Sequence, residues 1–262
     1  MSVLRLRGVG LRRDGRVLVG GVDWEVEEGQ RWALLGPNGA GKTSLLEVAS
    51  TYELPSDGVA DVLGARVGRV DLRELRRRVG VAGPTLTRRL RPESTVLEAV
   101  LTGPRATLTA WGQSFDEAEV AAARGLLTDL GLGGLAERRV GTLSDGERQR
   151  TQLARVLRAG ETAASPELVL LDEPAAGLDV GGRELLLDRL ERLVAPRALV
   201  LVSHHLEELP PSVTHALILR DGGVHACGPV DEVLTGLVLS DAFGVPLEVR
   251  REQGRWHARR AD

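Results

Sequence analysis

Near the N-terminus apolar and polar residues alternate. Val3-Leu4-Arg5-Leu6-Arg7 has the two-residue period of a half-buried strand, and Val17-Leu18-Val19 and Val22-Asp23-Trp24-Glu25-Val26 follow after the turn at Gly15-Arg16. These segments predict an antiparallel strand set, closed by Glu27-Glu28-Gly29-Gln30. The alternation then gives way to Arg31-Trp32-Ala33-Leu34-Leu35, an apolar run of strand length that reads as a buried strand. A helix is expected over residues 43–49. Short strand signals recur at 59–62 and 79–82, separated by a charged helical segment at 71–78.

From about residue 84 to 160 the period becomes helical, with segments at 95–101, 116–130 and 145–159. This stretch is expected to form a separate helical subdomain. Strands return at 168–171 and 198–202 around a helix at 182–194, a βαβ unit that implies a parallel sheet. The tail after Gly228 holds a helix near 230–234, a second apolar segment at 237–243 and a hairpin over 247–259. No internal repeat or low-complexity linker interrupts the chain. The expected fold class is therefore α/β, with a mostly parallel core sheet, an N-terminal antiparallel β-subdomain and a helical subdomain.

Between the first buried strand and its helix lies Gly36-Pro37-Asn38-Gly39-Ala40-Gly41-Lys42-Thr43, which fits the phosphate-loop pattern Gly-x-x-x-x-Gly-Lys-Ser/Thr. Glycines at these positions let backbone N–H groups turn inward as a nest for anions, which Cβ atoms would crowd. Lys42 supplies a point charge for the β- and γ-phosphates. Thr43 offers a hydroxyl to Mg²⁺ while starting a helix whose dipole also favours anions. Lys42 is the only lysine in the chain; every other basic residue is an arginine. The alternative reading is a glycine-rich turn before a helix, and the strand–loop–helix context weighs against it.

Two further segments carry chemistry. Leu168-Val169-Leu170-Leu171-Asp172-Glu173-Pro174 is a buried strand ending in adjacent carboxylates, either a solvated strand-end turn or a pair with separate roles. In the second case Asp172 holds Mg²⁺ and Glu173 orients and deprotonates the attacking water. Leu143-Ser144-Asp145-Gly146-Glu147 opens a helix, and Ser144 and Glu147 have capping-box spacing. The same helix start, with a glycine and a free serine hydroxyl, is also a second anion site.

Composition narrows the partners. Apolar residues make up 42% and charged residues 27% of 262, ordinary globular usage. A net charge of −3 and a pI near 6.0 give no global pull toward nucleic acid, and none is expected as a partner. No apolar run reaches the roughly 18 residues of a membrane span, and residues 1–7 lack the apolar segment of a signal peptide. The single cysteine, Cys227, cannot form an internal disulfide, which fits a reducing cytoplasm.

Taken together, the phosphate loop, the helical region, Leu143-Ser144-x-Gly146, the strand ending in Asp172-Glu173, Gly177-Leu178-Asp179 and Val202-Ser203-His204 resemble, in order, the ATP-binding subunit of ABC transporters. The resemblance implies an ATPase domain over residues 1–228, with a core at 1–83 and 161–228 and a helical signature subdomain at 84–160. A C-terminal extension would occupy 229–262. It further implies a head-to-tail homodimer enclosing two ATP molecules with Mg²⁺. Lys42, Thr43, Ser44, Asp172, Glu173 and His204 of one copy would then face Ser144 and Gly146 of the other, with Asp179 at the seam. His204, rather than the adjacent His205, aligns with the motif. The family serves separate transmembrane permease subunits, so the chain would sit peripherally on the cytoplasmic face of the cell membrane. The tail looks similar to those of importers of iron complexes and molybdate. A soluble ATPase or regulator without a permease is the alternative.

Three departures from the family pattern alter these expectations. Arg13 stands where an aromatic residue usually stacks on adenine, and its guanidinium would stack with less selectivity for the base. Pro84 falls where a glutamine usually links Mg²⁺ and water to the membrane partner, so that link has to be made differently. Asp145 replaces a glycine and Glu147 a glutamine, and an added carboxylate near a triphosphate predicts slow turnover unless it points away or caps its helix. Arg73, Arg76, Arg77, Arg78, Arg88, Arg89 and Arg91 bracket Pro84, either as solvated helix faces or as a docking surface.

Overall fold

Strands β1 (Ser2–Arg13) and β2 (Arg16–Glu27) form a long antiparallel hairpin, turned by two left-handed residues, Asp14 (φ 52°) and Gly15 (φ 76°). β2 is continuous where two pieces were expected, because Gly21 (φ 64°) and shifts of register absorb the break. β3 (Arg31–Leu35) leads through residues 36–41 into α1 (Lys42–Ala49). β4 (Asp57–Val62) pairs with the free edge of β1 and β5 (Ala65–Arg66) with β4, which completes a four-stranded sheet. α2 (Leu72–Arg77), capped by the Asp71 carboxylate on the Arg73 N–H, precedes β6 (Val79–Ala82).

Helices α3 (Val96–Leu101) and α4 (Glu117–Asp129) both start with complete capping boxes, Thr95 with Glu98 and Asp116 with Glu119. α5 (Asp145–Gly160) follows. Then come β7 (Leu168–Asp172), α6 (Val180–Glu191), β8 (Ala198–Val202), β9 (His215–Arg220) and β10 (Gly223–Pro229). α6 begins two residues earlier than its periodicity suggests, because Asp179 caps it through the Gly182 N–H at 2.7 Å. The chain ends with α7 (Val230–Val233), α8 (Gly236–Phe243) and the hairpin β11 (Leu247–Glu252)–β12 (Arg255–Arg260). The computed structural model describes residues 1–83, 90–105, 107, 109–160, 166–192 and 198–261, so Pro84, Arg88 and Arg89 lie outside it.

The second sheet has the order β10-β9-β3-β8-β7-β6 and is parallel except for β10. Its inner strands β3, β7 and β8 read as apolar runs because both faces are buried. The pleat sorts them: Leu35, Val169, Leu171, Leu199 and Leu201 face a core shared with α3 to α6 and the tail. Trp32, Leu34, Leu168, Leu170, Val200 and Val202 face a core shared with α1 and the antiparallel sheet. β9 and β10 were not anticipated. Their signal was present, since Ala216-Leu217-Ile218-Leu219 is apolar and Asp221-Gly222 is a strong hairpin turn, with φ 52° and 80°.

Candidate functional site

The parallel strands β3, β7 and β8 end on one side of the sheet, and the polar residues that follow them converge there. After β3 the loop turns back on itself with Gly36, Gly39 and Gly41 all at positive φ (142°, 80° and 97°). A Cβ on Gly36 would sit 2.1 Å from the Leu219 carbonyl oxygen, whereas one on Gly39 would meet nothing within 4 Å. The Gly36 restriction therefore comes from packing against β9 as well as from φ. Gly36→Ala is expected to cost at least about 3 kcal/mol of stability, from strain plus overpacking, and Gly39→Ala only about 1–2 kcal/mol. Chemical denaturation of the two variants checks the order.

α1 starts at Lys42 with no side-chain cap, so the first N–H groups of the helix stay available to an anion. The Lys42 ammonium is buried and donates to the carbonyl oxygens of Gly36 (2.8 Å) and Pro37 (2.9 Å). Burial holds its pKa below the usual lysine value, while Glu173 and Asp172 pull it back up. Pro37, Asn38, Ala40 and Ser44 complete the loop and first turn, and Ala40 is buried.

Thr43 Oγ1 donates to Asp172 Oδ2 at 2.9 Å. Asp172 is almost fully buried, and its other carboxyl oxygen, Oδ1, has no hydrogen-bond partner. Burial raises its pKa most; Glu173 adds to the rise, while the Thr43 hydroxyl, Lys42 and His204 lower it. A buried carboxylate with an orphaned oxygen beside a hydroxyl is a hard-oxygen donor set suited to Mg²⁺, which takes one or two protein oxygens and completes its shell with phosphates and water.

Glu173 occupies the left-handed region (φ 50°), a strain on the order of 1–3 kcal/mol for a non-glycine residue. Three backbone bonds hold it there: its N–H donates to the Val202 carbonyl (3.0 Å), and its carbonyl accepts from the Ala176 N–H (3.1 Å) and from Gln149 Nε2 (3.3 Å). This conformation puts Glu173 Oε1 in contact with His204 Nε2, both side chains about a third exposed. His205 does not share the contact; its N–H is used by Ser203 Oγ at 2.9 Å.

The structure thus brings Lys42, Thr43, Asp172, Glu173 and His204 together in one chain. Among the described residues no hydrogen bond or ion pair joins Ser144 or Gly146 to them. Ser144 forms the capping box with Glu147, and its hydroxyl, expected to be free, donates to the Glu147 carboxylate (2.9 Å). Glu147 is held below the usual carboxylate range by the Ser144 backbone and side-chain hydrogen bonds. Asp145 is exposed to solvent and pairs with Arg148 at 3.0 Å. Asp179 serves α6 as its cap. Arg13 is engaged by Glu47 (3.2 Å) and Glu53 (3.0 Å), so base stacking is left to the face of its guanidinium. Gln149 was missed by sequence reasoning, since nothing local marks its bond to a residue 24 positions away.

Residues 19–176 match the family described as ABC transporter. The chain is 39% identical over 265 residues to the uncharacterized ABC transporter ATP-binding protein YlmA of Bacillus subtilis (strain 168), covering 99% of this chain and 98% of that one. It is 37% identical over 249 residues to the hemin import ATP-binding protein HmuV of Streptomyces coelicolor, covering 92% of this chain and 83% of the relative. A dimeric ATP-binding cassette solved in a post-hydrolysis state with ADP and Pi shares the fold, with a TM-score of 0.70 at 22% identity over 87% of this chain and 98% of that one.

Proposed function

Because the chain belongs to the ABC transporter family of ATP-binding proteins, we propose that it pairs head to tail with a second copy around two Mg-ATP and drives a separate membrane permease. Binding and hydrolysing ATP is the activity of the family. The observation that carries the proposal for this chain is the convergence of Lys42, the Thr43–Asp172 pair and the Glu173–His204 pair beside an uncapped helix N-terminus.

Each residue has a task that follows from its surroundings. The loop N–H groups and Lys42 bind the phosphates, and Lys42 exchanges two carbonyl oxygens for phosphate oxygens. Thr43 and Asp172 would hold Mg²⁺; when bound, the ion neutralises charge on the phosphate oxygens. Glu173 takes a proton from the water that attacks the terminal phosphorus, and His204 keeps its carboxylate aimed. Ser144 and the α5 N-terminus of the second copy supply donors to the same phosphate, so hydrolysis waits for closure.

Among the described residues no helix is long and apolar enough to cross a membrane. An open cavity of about 310 Å³ between α2, β6 and α5 is lined by Arg73, Arg76, Arg77 and Arg155, with no carboxylate among its described lining residues. It suits an acidic segment of a permease. The hemin import relative and the tail support import, of the iron-complex or molybdate kind. Pro84 favours the other reading, an ATPase working without a permease.

Purification of the tagged chain from solubilised native membranes decides between them. An integral membrane permease should accompany the native chain. Arg73→Glu with Arg77→Glu should cut its recovery at least about tenfold, the effect of one lost charge contact. Recovery of a fully active ATPase with no membrane protein would support the reading without a permease.

A further inference from the structure

The C-terminal hairpin touches two elements that lead directly into the site. Arg255, in β12, donates through Nη1 to Glu184 Oε2 (2.8 Å) and through Nη2 to Glu184 Oε1 (3.3 Å), a bidentate pair with α6. The same Nη2 donates to the backbone carbonyl of Glu207 at 2.7 Å. One guanidinium therefore joins α6 to the 3-10 turn Leu206–Glu208 that follows His204.

Both joined pieces transmit position. The turn is internally tied, since Ser203 Oγ accepts from the His205 N–H (2.9 Å), donates to the His205 carbonyl (3.0 Å) and contacts the Glu208 carboxylate. Displacing the Glu207 carbonyl therefore displaces His204. α6 is a helix whose N-terminal cap is Asp179, so shifting Glu184 shifts Asp179. The hairpin is itself anchored: Trp256 is buried in the core that also contains Leu186, Leu190, Leu206 and Leu209, and Arg251 lies over its ring and pairs with Asp231 at 3.1 Å.

We propose that Arg255 is a positioning residue: it clamps α6 to the turn after His204, so that the Asp179 end of α6 and the Glu173–His204 pair move as one body when two copies close. This rests on the dimeric reading above. Arg255 touches none of the residues placed at the phosphates, so its loss changes the hydrolytic step and not the grip on nucleotide.

Arg255→Met is expected to lower kcat about tenfold with KM for ATP within about twofold of native, as for an interaction felt only in the reacting state. Glu184→Ala should do nearly the same, and the double variant should be no slower than the slower single one, because each breaks the same link between α6 and the turn. Hydrogen–deuterium exchange should rise in residues 203–209 and in the first turn of α6. A native kcat in Arg255→Met, parallel losses of kcat and ATP affinity, or multiplying losses in the double variant would overturn the clamp. If the native chain does not hydrolyse ATP, the proposed function fails and the exchange measurement still decides: unchanged exchange in both segments of Arg255→Met rules the clamp out, and a joint rise upholds it.

Discussion

Glu173→Gln is expected to lower ATP turnover by about 10²–10⁴-fold, the usual worth of a general base, while ATP is still bound. The amide matches the carboxylate in shape and can keep its contact with His204, but it has no basic oxygen to take a proton from water. The left-handed backbone at position 173 is held by bonds to Val202, Ala176 and Gln149 that the substitution does not touch, so the fold should persist. Binding without hydrolysis leaves the closed state occupied, and an ATP-dependent dimer should accumulate. Phosphate release and size-exclusion chromatography with Mg-ATP measure both effects. A turnover rate within a few-fold of native would remove Glu173 from the role of base.

Lys42→Ala is expected to act earlier, on the phosphates themselves. Turnover should fall by about 10²–10³-fold, comparable to removing a preorganised charge donor, and ATP affinity should fall with it. The ammonium is buried against two carbonyl oxygens and lies in the field of Asp172 and Glu173, so alanine leaves the carbonyls unpaired and the acids uncompensated. The chain contains no other lysine to substitute. Calorimetric titration with Mg-ATP, alongside a rate assay, separates the two losses. Affinity equal to native would show that Lys42 does not reach the phosphates.

Residues whose role is local were legible in the sequence. The runs that became β3, β7 and β8 could be read because burial on both faces leaves only apolar side chains, and the capping spacing of Ser144 and Glu147 corresponds to three bonds in the structure. The glycines of the phosphate loop were legible from their spacing, although the packing of Gly36 against β9 was not. What stayed hidden depends on distant partners. The positive φ of Glu173 arises because a strand end is pinned between Val202 and Gln149, and no neighbouring residue announces it. Arg255 and Glu184 are 71 positions apart, and the charge of each, read alone, looks like solvated surface. The Ser144 hydroxyl was expected free because spacing shows that a cap can form but not where its proton points.

In the proposed dimer one nucleotide is held by Lys42 of one copy and reached by Ser144 of another. The most direct measurement is the structure of the Glu173→Gln chain with ATP and Mg²⁺. The expected result is a two-fold dimer with the Ser144 hydroxyl of each copy within hydrogen-bond distance of the terminal phosphate bound at Lys42 of its partner. A nucleotide bound at Lys42 with both Ser144 residues facing solvent, in crystals and in solution alike, would contradict it.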